Sequence, residues 1–181
     1  RVYSVKVGGL EGSGDTGGIS INSVFDVIKG WHQNKPVDPH TGYKRPTIVN
    51  ASWGYSSSIG TGISSIVYRG TTYGSGNDPS FNSTPNSHMR DTYGFYPYYR
   101  SFSYRFPLRV PSVDADVQDC IDAGVHVCIA AGNNYFKIAN STDPDYNNVV
   151  FYGSGSSQYY HRGSSPFDEG ALICLLYTSP S

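Results

Sequence analysis

Residues 122–134 read DAGVHVCIAAGNN, and the fold turns on how they are read. Val125 to Ala131 is a nearly continuous apolar run, bounded by Gly124 before it and by Gly132-Asn133-Asn134 after it. It reads as a continuously apolar strand. The strand ends at once on a turn that throws amide side chains off its C-terminal end. In an open α/β sheet, ligands and catalytic groups collect at that end.

Working toward the N-terminus, Val113, Val117, Cys120 and Ile121 fall on one helical face. Asp114 and Asp116 favour the first turn, Ser112 is the expected N-cap, and Gly124 closes the helix as its C′ residue. "TIVNAS", residues 47–52, reads as another strand, with Asn50 inside a buried element. Val24, Phe25, Val27, Ile28 and Trp31 predict a helix from Ile21 that ends between Gly30 and Asn34. Three prolines in "KPVDPHTGYKRP" make that segment a connection. "VYSVKV", residues 2–7, alternates like a strand and runs into the Gly-rich turn GGLEGSGDTGG. Residues 55–111 are rich in Tyr, Ser, Gly, Arg and Pro with no sustained period, and read as a long, irregular, mobile, aromatic-rich insertion. The order β, α, β, insertion, α, β predicts an α/β fold with a parallel sheet flanked by helices.

The chain has 181 residues, enough for one domain with a sizeable core. Its net charge of −1 supplies no field for nucleic acid or an anionic membrane. Arg90, Arg100, Arg105 and Arg109 read as a solvated local cluster. No run of eighteen apolar residues occurs, so no membrane span is expected. The three cysteines form no CxxC pair, no HxxxH exists, and no metal site is expected. Cys120 and Cys128 read as small hydrophobes. The ending CLLYTSPS resembles translated adapter sequence, so residues 174–181 are set apart as a non-native tail, and residues 1–173 are read as an internal fragment of a longer protein. The sequons at Asn50, Asn82 and Asn140 assign no compartment.

Three motifs, in order, resemble subtilisin-like serine proteases. "VYSVKVGGLEGSGDTGGISINSVFDVIKG" resembles the family's strand, Gly-Ser-Gly turn and helix; "IVNASWG" resembles its substrate-lining strand; "AGVHVCIAAGNN" resembles the strand ending Ala-Ala-Gly-Asn. The resemblance covers residues 2–54 and 111–134. It implies a subtilisin-like α/β fold and peptide-bond hydrolysis, with Asn133 as the donor that stabilises the oxyanion. Ser52, Trp53 and Gly54 would pair with an extended polypeptide substrate, and Gly54 would allow its close approach. Ala131 and Gly132 would floor the pocket before the scissile bond. Trp53 stands where the family usually has Leu and would reshape a subsite. Calcium enters only through the resemblance, with no residue assigned to it.

The family's nucleophile motif Gly-Thr-Ser and base motif His-Gly-Thr-His are missing. None of the five histidines precedes Gly, and Asp15-Thr16-Gly17 follows a Gly-Ser-Gly turn rather than a buried strand, which makes it a decoy for the triad acid. The triad His and Asp would precede Arg1 and the Ser would follow residue 173. The alternative is a non-catalytic relative whose Tyr/Arg-rich insertion binds a partner. A nucleotide site at GGLEGSGDTGG fails, since neither phosphate-loop spacing is present. The sequence sets neither oligomeric state nor compartment.

Overall fold

The computed structural model describes residues 2–5, 7, 20–60, 62–81, 87–95, 97–98, 103–132 and 136–174. It is a mixed α/β structure whose chain divides into two compact units. The first comprises Arg1–Trp53, Val110–Ala131 and Pro166–Ser181; the second comprises Gly54–Arg109 and Gly132–Ser165.

The first unit holds helix α1 (Ile21–Gln33), strand β1 (Thr47–Ala51), helix α3 (Pro111–Asp122), strand β7 (Val125–Ala130) and strand β10 (Leu172–Cys174). The three strands form an all-parallel sheet in the order β1-β7-β10, with Thr47 opposite Val125 and Ala51 opposite Ile129. Val24, Phe25 and Ile28 of α1, Val113, Val117 and Cys120 of α3, and Val125, Val127 and Ile129 of β7 are buried. Both helical patterns in the sequence thus mark core faces. The Cys120 thiol donates to the Phe25 carbonyl at 3.1 Å, and burial pushes it up to about 11, so it packs as a small hydrophobe. At the end of α1, Thr47 Oγ1 lies 2.8 Å from His32 Nδ1 and accepts from Lys35 Nζ at 2.5 Å, docking the helix on the start of β1.

Several boundaries differ from the sequence reading. The N-cap of α3 is Val110 with Pro111 in the first turn, not Ser112; proline's fixed φ is already helical and its missing N–H has no partner to lose there. Residues 2–5 and 7 form no strand, and Val2 and Tyr3 are exposed, because alternation makes a strand only where a neighbouring strand takes up its hydrogen bonds. Strand β1 is half-exposed rather than buried: Asn50 faces out and Ile48 is 70% exposed. Gly124 has φ +92°, the left-handed C′ position expected of it. Gly124→Ala is expected to cost about 1–2 kcal/mol from that backbone alone, read as a lowered midpoint in thermal denaturation.

The second unit is regular where the sequence reads as irregular. It carries β2 (Ser56–Gly60), β3 (Ile63–Tyr68), β4 (Thr71–Tyr73), α2 (Ser87–Tyr93), β5 (Pro97–Tyr98), β6 (Ser103–Pro107), β8 (Val149–Tyr152) and β9 (Ser156–Tyr159). These form two antiparallel sheets, β2-β6-β5 and β4-β3-β8-β9. Their core is Ile59, Ile63, Ile66, Phe81, Met89, Tyr93, Phe95, Phe106, Val150 and Tyr160. Phe95 and Tyr160 meet edge to face at 5.0 Å, and Tyr93 packs on Tyr73 at 5.1 Å. The period is hidden for a physical reason. The pairing of β3 with β8 shifts register between Ile63 and Ser65, so the buried Ile63 and Ile66 stand three apart instead of two.

Candidate functional site

Parallel pairing of β1 with β7 brings two strand ends side by side in the first unit. Ala51 lies opposite Ile129, so Ser52-Trp53 and Ala131 follow the two strands at the sheet's C-terminal edge. Ser52 is exposed and its hydroxyl donates to Asn50 Oδ1 at 3.2 Å. Trp53 and Ala131 are half-buried. Asn133 and Asn134 lie outside the described residues, as does the turn with Asp15-Thr16-Gly17.

Gly54 and Gly132 continue the chain into the second unit. Gly132 has φ +83°, and nothing within 4 Å would obstruct a side chain there, so its glycine serves the turn rather than a close contact. Gly54 is different. A Cβ added to it would sit 2.7 Å from Ser164 Oγ and 3.5 Å from the Ser165 carbonyl oxygen. The next amide, Tyr55 N–H, donates to that same carbonyl at 3.0 Å. The close approach expected of a substrate at Gly54 is therefore made on this side by the chain's own residues 164–165.

Two polar clusters of the second unit escaped the sequence reading. In one, Asp78 Oδ2 accepts from the Tyr93 hydroxyl at 2.5 Å and lies 2.6 Å from His88 Nε2, while Thr92 Oγ1 is 3.3 Å from His88 Nδ1. Burial pushes the Asp78 carboxyl up, but the hydrogen bonds from Tyr93 and His88 outweigh it and leave it below its ordinary range. Burial also pushes the Tyr93 phenol up, so it stays a donor. The cluster ties the loop after β4 to α2.

The other cluster centres on Asp145, which is buried. Arg69 reaches it through Nε at 2.6 Å and Nη2 at 3.1 Å, and Lys137 Nζ bonds Oδ2. The Arg69 guanidinium holds the carboxyl well below the usual range, burial opposes it, and Lys137 and Asn148 assist. Arg69 and Gly70 form the two-residue turn between β3 and β4, and both have positive φ. Such turns favour Asn-Gly or Asp-Gly; here the Arg69 N–H bond to Asn148 Oδ1 at 2.7 Å helps hold a residue that would otherwise avoid the left-handed region. The signal available in the sequence was the Arg-Gly pair between two β-rich runs.

Among the described residues, no group of three His, Cys, Asp or Glu side chains stands ready to hold a metal ion, and no helix is long and apolar enough to cross a membrane. No protein-family model, curated protein or solved structure matches this chain.

Proposed function

We propose that this chain is part of a hydrolytic α/β enzyme that cleaves peptide bonds through a serine nucleophile. Within that class, the reading is a subtilisin-like serine endopeptidase. The observation that supports it is the parallel, adjacent pairing of β1 with β7, with Ser52-Trp53 and Ala131 emerging at one edge. That is the arrangement a substrate-pairing strand and an oxyanion strand require, since an extended peptide lying along one must present its carbonyl to the turn that ends the other.

In this reading Ser52, Trp53 and Gly54 bind the substrate main chain, with Ser164 crowding one side of Gly54. Ala131 and Gly132 floor the pocket, and Asn133 donates to the oxyanion. The triad His, Asp and Ser belong to flanking sequence. Calcium remains part of the family resemblance, with no residue assigned to it.

The coding sequence on either side of this segment tests the proposal. His-Gly-Thr-His upstream and Gly-Thr-Ser-x-Ala downstream are the expected finding; both motifs lost or substituted would overturn it in favour of a non-catalytic relative. The purified 181-residue chain is expected to hydrolyse no peptide above background, because oxyanion stabilisation without nucleophile and base leaves only a remnant of catalysis. A fluorophosphonate-sensitive peptidase activity in the pure chain contradicts that expectation.

A further inference from the structure

Three buried polar side chains of the second unit, Asp145, Asn148 and His161, are joined by hydrogen bonds that set the tautomer of the imidazole. The order of donors fixes it. Asn148 Oδ1 accepts the Arg69 backbone N–H, so its amide orientation is set by an obligatory donor. The two hydrogens on Nδ2 then point to Asp145 Oδ1 and to His161 Nδ1, each at 3.1 Å. His161 Nδ1 is therefore an acceptor, and the ring proton sits on Nε2, which donates to the Gly94 carbonyl at 3.3 Å. Flipping the amide would set Nδ2 against the Arg69 N–H and Oδ1 against the Asp145 carboxylate.

A second proton on the ring puts an N–H on Nδ1, facing the N–H of Asn148, donor against donor. The surroundings of His161 offer only partial relief: the Asp145 backbone is placed to favour the extra proton, but burial outweighs it. The Tyr160 ring lies 4.4 Å away, the ring is buried, and Gly94 packs so closely that a Cβ there would meet His161 Nε2 at 2.9 Å. Asp145 favours the extra proton and Lys137 opposes it, while Arg69 and Lys137 already neutralise that carboxylate. The net result of burial first, with the Gly94 and Asp145 contributions opposing it, is an imidazole held below its ordinary value.

We propose that Asn148 and His161 form an acid-released latch in the second unit: neutral His161 fastens the residues after β9 to Gly94 at the end of α2, and protonation opens that joint. Sign follows from linkage. The open state binds a proton that the closed state refuses, so closure is complete above about pH 6.5 and weakens below it. One such proton raises the opening constant by up to about tenfold per pH unit.

The test is a nitrogen-edited NMR titration of the histidine rings in the full 181-residue chain from pH 7.5 to 5, with the urea midpoint of second-unit resonances followed in parallel. His161 is expected to stay in the Nε2–H neutral form, and the second-unit midpoint is expected to fall as the pH drops below 6.5. H161Q is expected to flatten that dependence by one proton, whereas His32, buried in the first unit, keeps its own contribution. If H161Q does not fold, the wild-type titration decides alone. A His161 that carries its proton on Nδ1, that gains its second proton while the second unit stays closed, or whose protonation leaves the second-unit midpoint unmoved overturns the proposal.

Discussion

Asn133→Ala is expected to lower kcat by about 10²–10³ with KM nearly unchanged in the proposed protease, measured in a protein that joins this chain to flanking triad residues; the size is subtilisin's own for its oxyanion-hole Asn. The split between the two constants carries the argument. An amide aimed at the oxyanion acts on charge that exists only in the transition state, so its loss leaves ground-state binding alone. Asn134→Ala is expected to do far less, since the resemblance to Ala-Ala-Gly-Asn gives the oxyanion role to Asn133. Steady-state kinetics on the two variants therefore tests the register as well as the mechanism. Damage from Asn134→Ala with a mild Asn133→Ala shifts the assignment by one residue. Full kcat in both removes the oxyanion role.

What the sequence revealed follows the line between periodic and non-periodic burial. Val24, Phe25 and Ile28, and Val113, Val117 and Cys120, repeat at helical spacing because each helix buries a single stripe, and both stripes are in the core. The parallel relation of β1 and β7 was legible from the helix that precedes Val125, and the pairing of Ala51 with Ile129 bears out a parallel pair. The extent of that sheet was less so: among the described residues it has three strands, and Ile48, Asn50, His126 and Leu172 on it are exposed. A run such as Thr47 to Ala51 is apolar enough to suit burial on two faces, and composition alone does not say whether the second face is covered.

The second unit was illegible for a different reason. Its strands run from two to six residues, several built on serine, and its core depends on aromatic residues that recur at no fixed interval. Phe81, Tyr93, Phe95, Phe106 and Tyr160 come from loops, a short helix and strands, and only the fold gathers them. The polar clusters were hidden in the same way: Asp78 lies 10 residues from His88, Arg69 lies 76 from Asp145, and Asn148 lies 13 from His161. No local motif marks such partners. Of the expected site residues, Ser52, Trp53 and Ala131 stand at one sheet edge. Gly54 shows what spacing could not, that Ser164 already occupies the space its missing side chain leaves.

Asp145→Ala is expected to destabilise the chain by about 2–4 kcal/mol at pH 7, more than any surface substitution. The carboxylate is 2% exposed and serves three donors: Arg69, Lys137 and Asn148. Breaking a buried ion pair commonly costs about 3–5 kcal/mol, because the partner is left charged and dry. Here the partners are half-exposed, Arg69 at 51% and Lys137 at 44%, so water takes them back and the cost falls toward the lower end. What water does not reach is Asn148, whose side chain is buried and would lose one of its acceptors, while the Arg69 side chain would lose its carboxylate partner. The pH dependence identifies the source. The Asp145 carboxyl is held below its ordinary value in the folded chain, so its stabilisation is fully present above about pH 3.9 and drains away as the pH falls below that. His161 acts in the higher window below about pH 6.5, and the two do not overlap near pH 5. Urea unfolding of the wild type and the variant is expected to show a gap that is constant from pH 7 to 5 and narrows progressively below 4. A variant as stable as wild type at pH 7, or a gap that persists unchanged at pH 3, would show that Asp145 is not the anchor of this cluster.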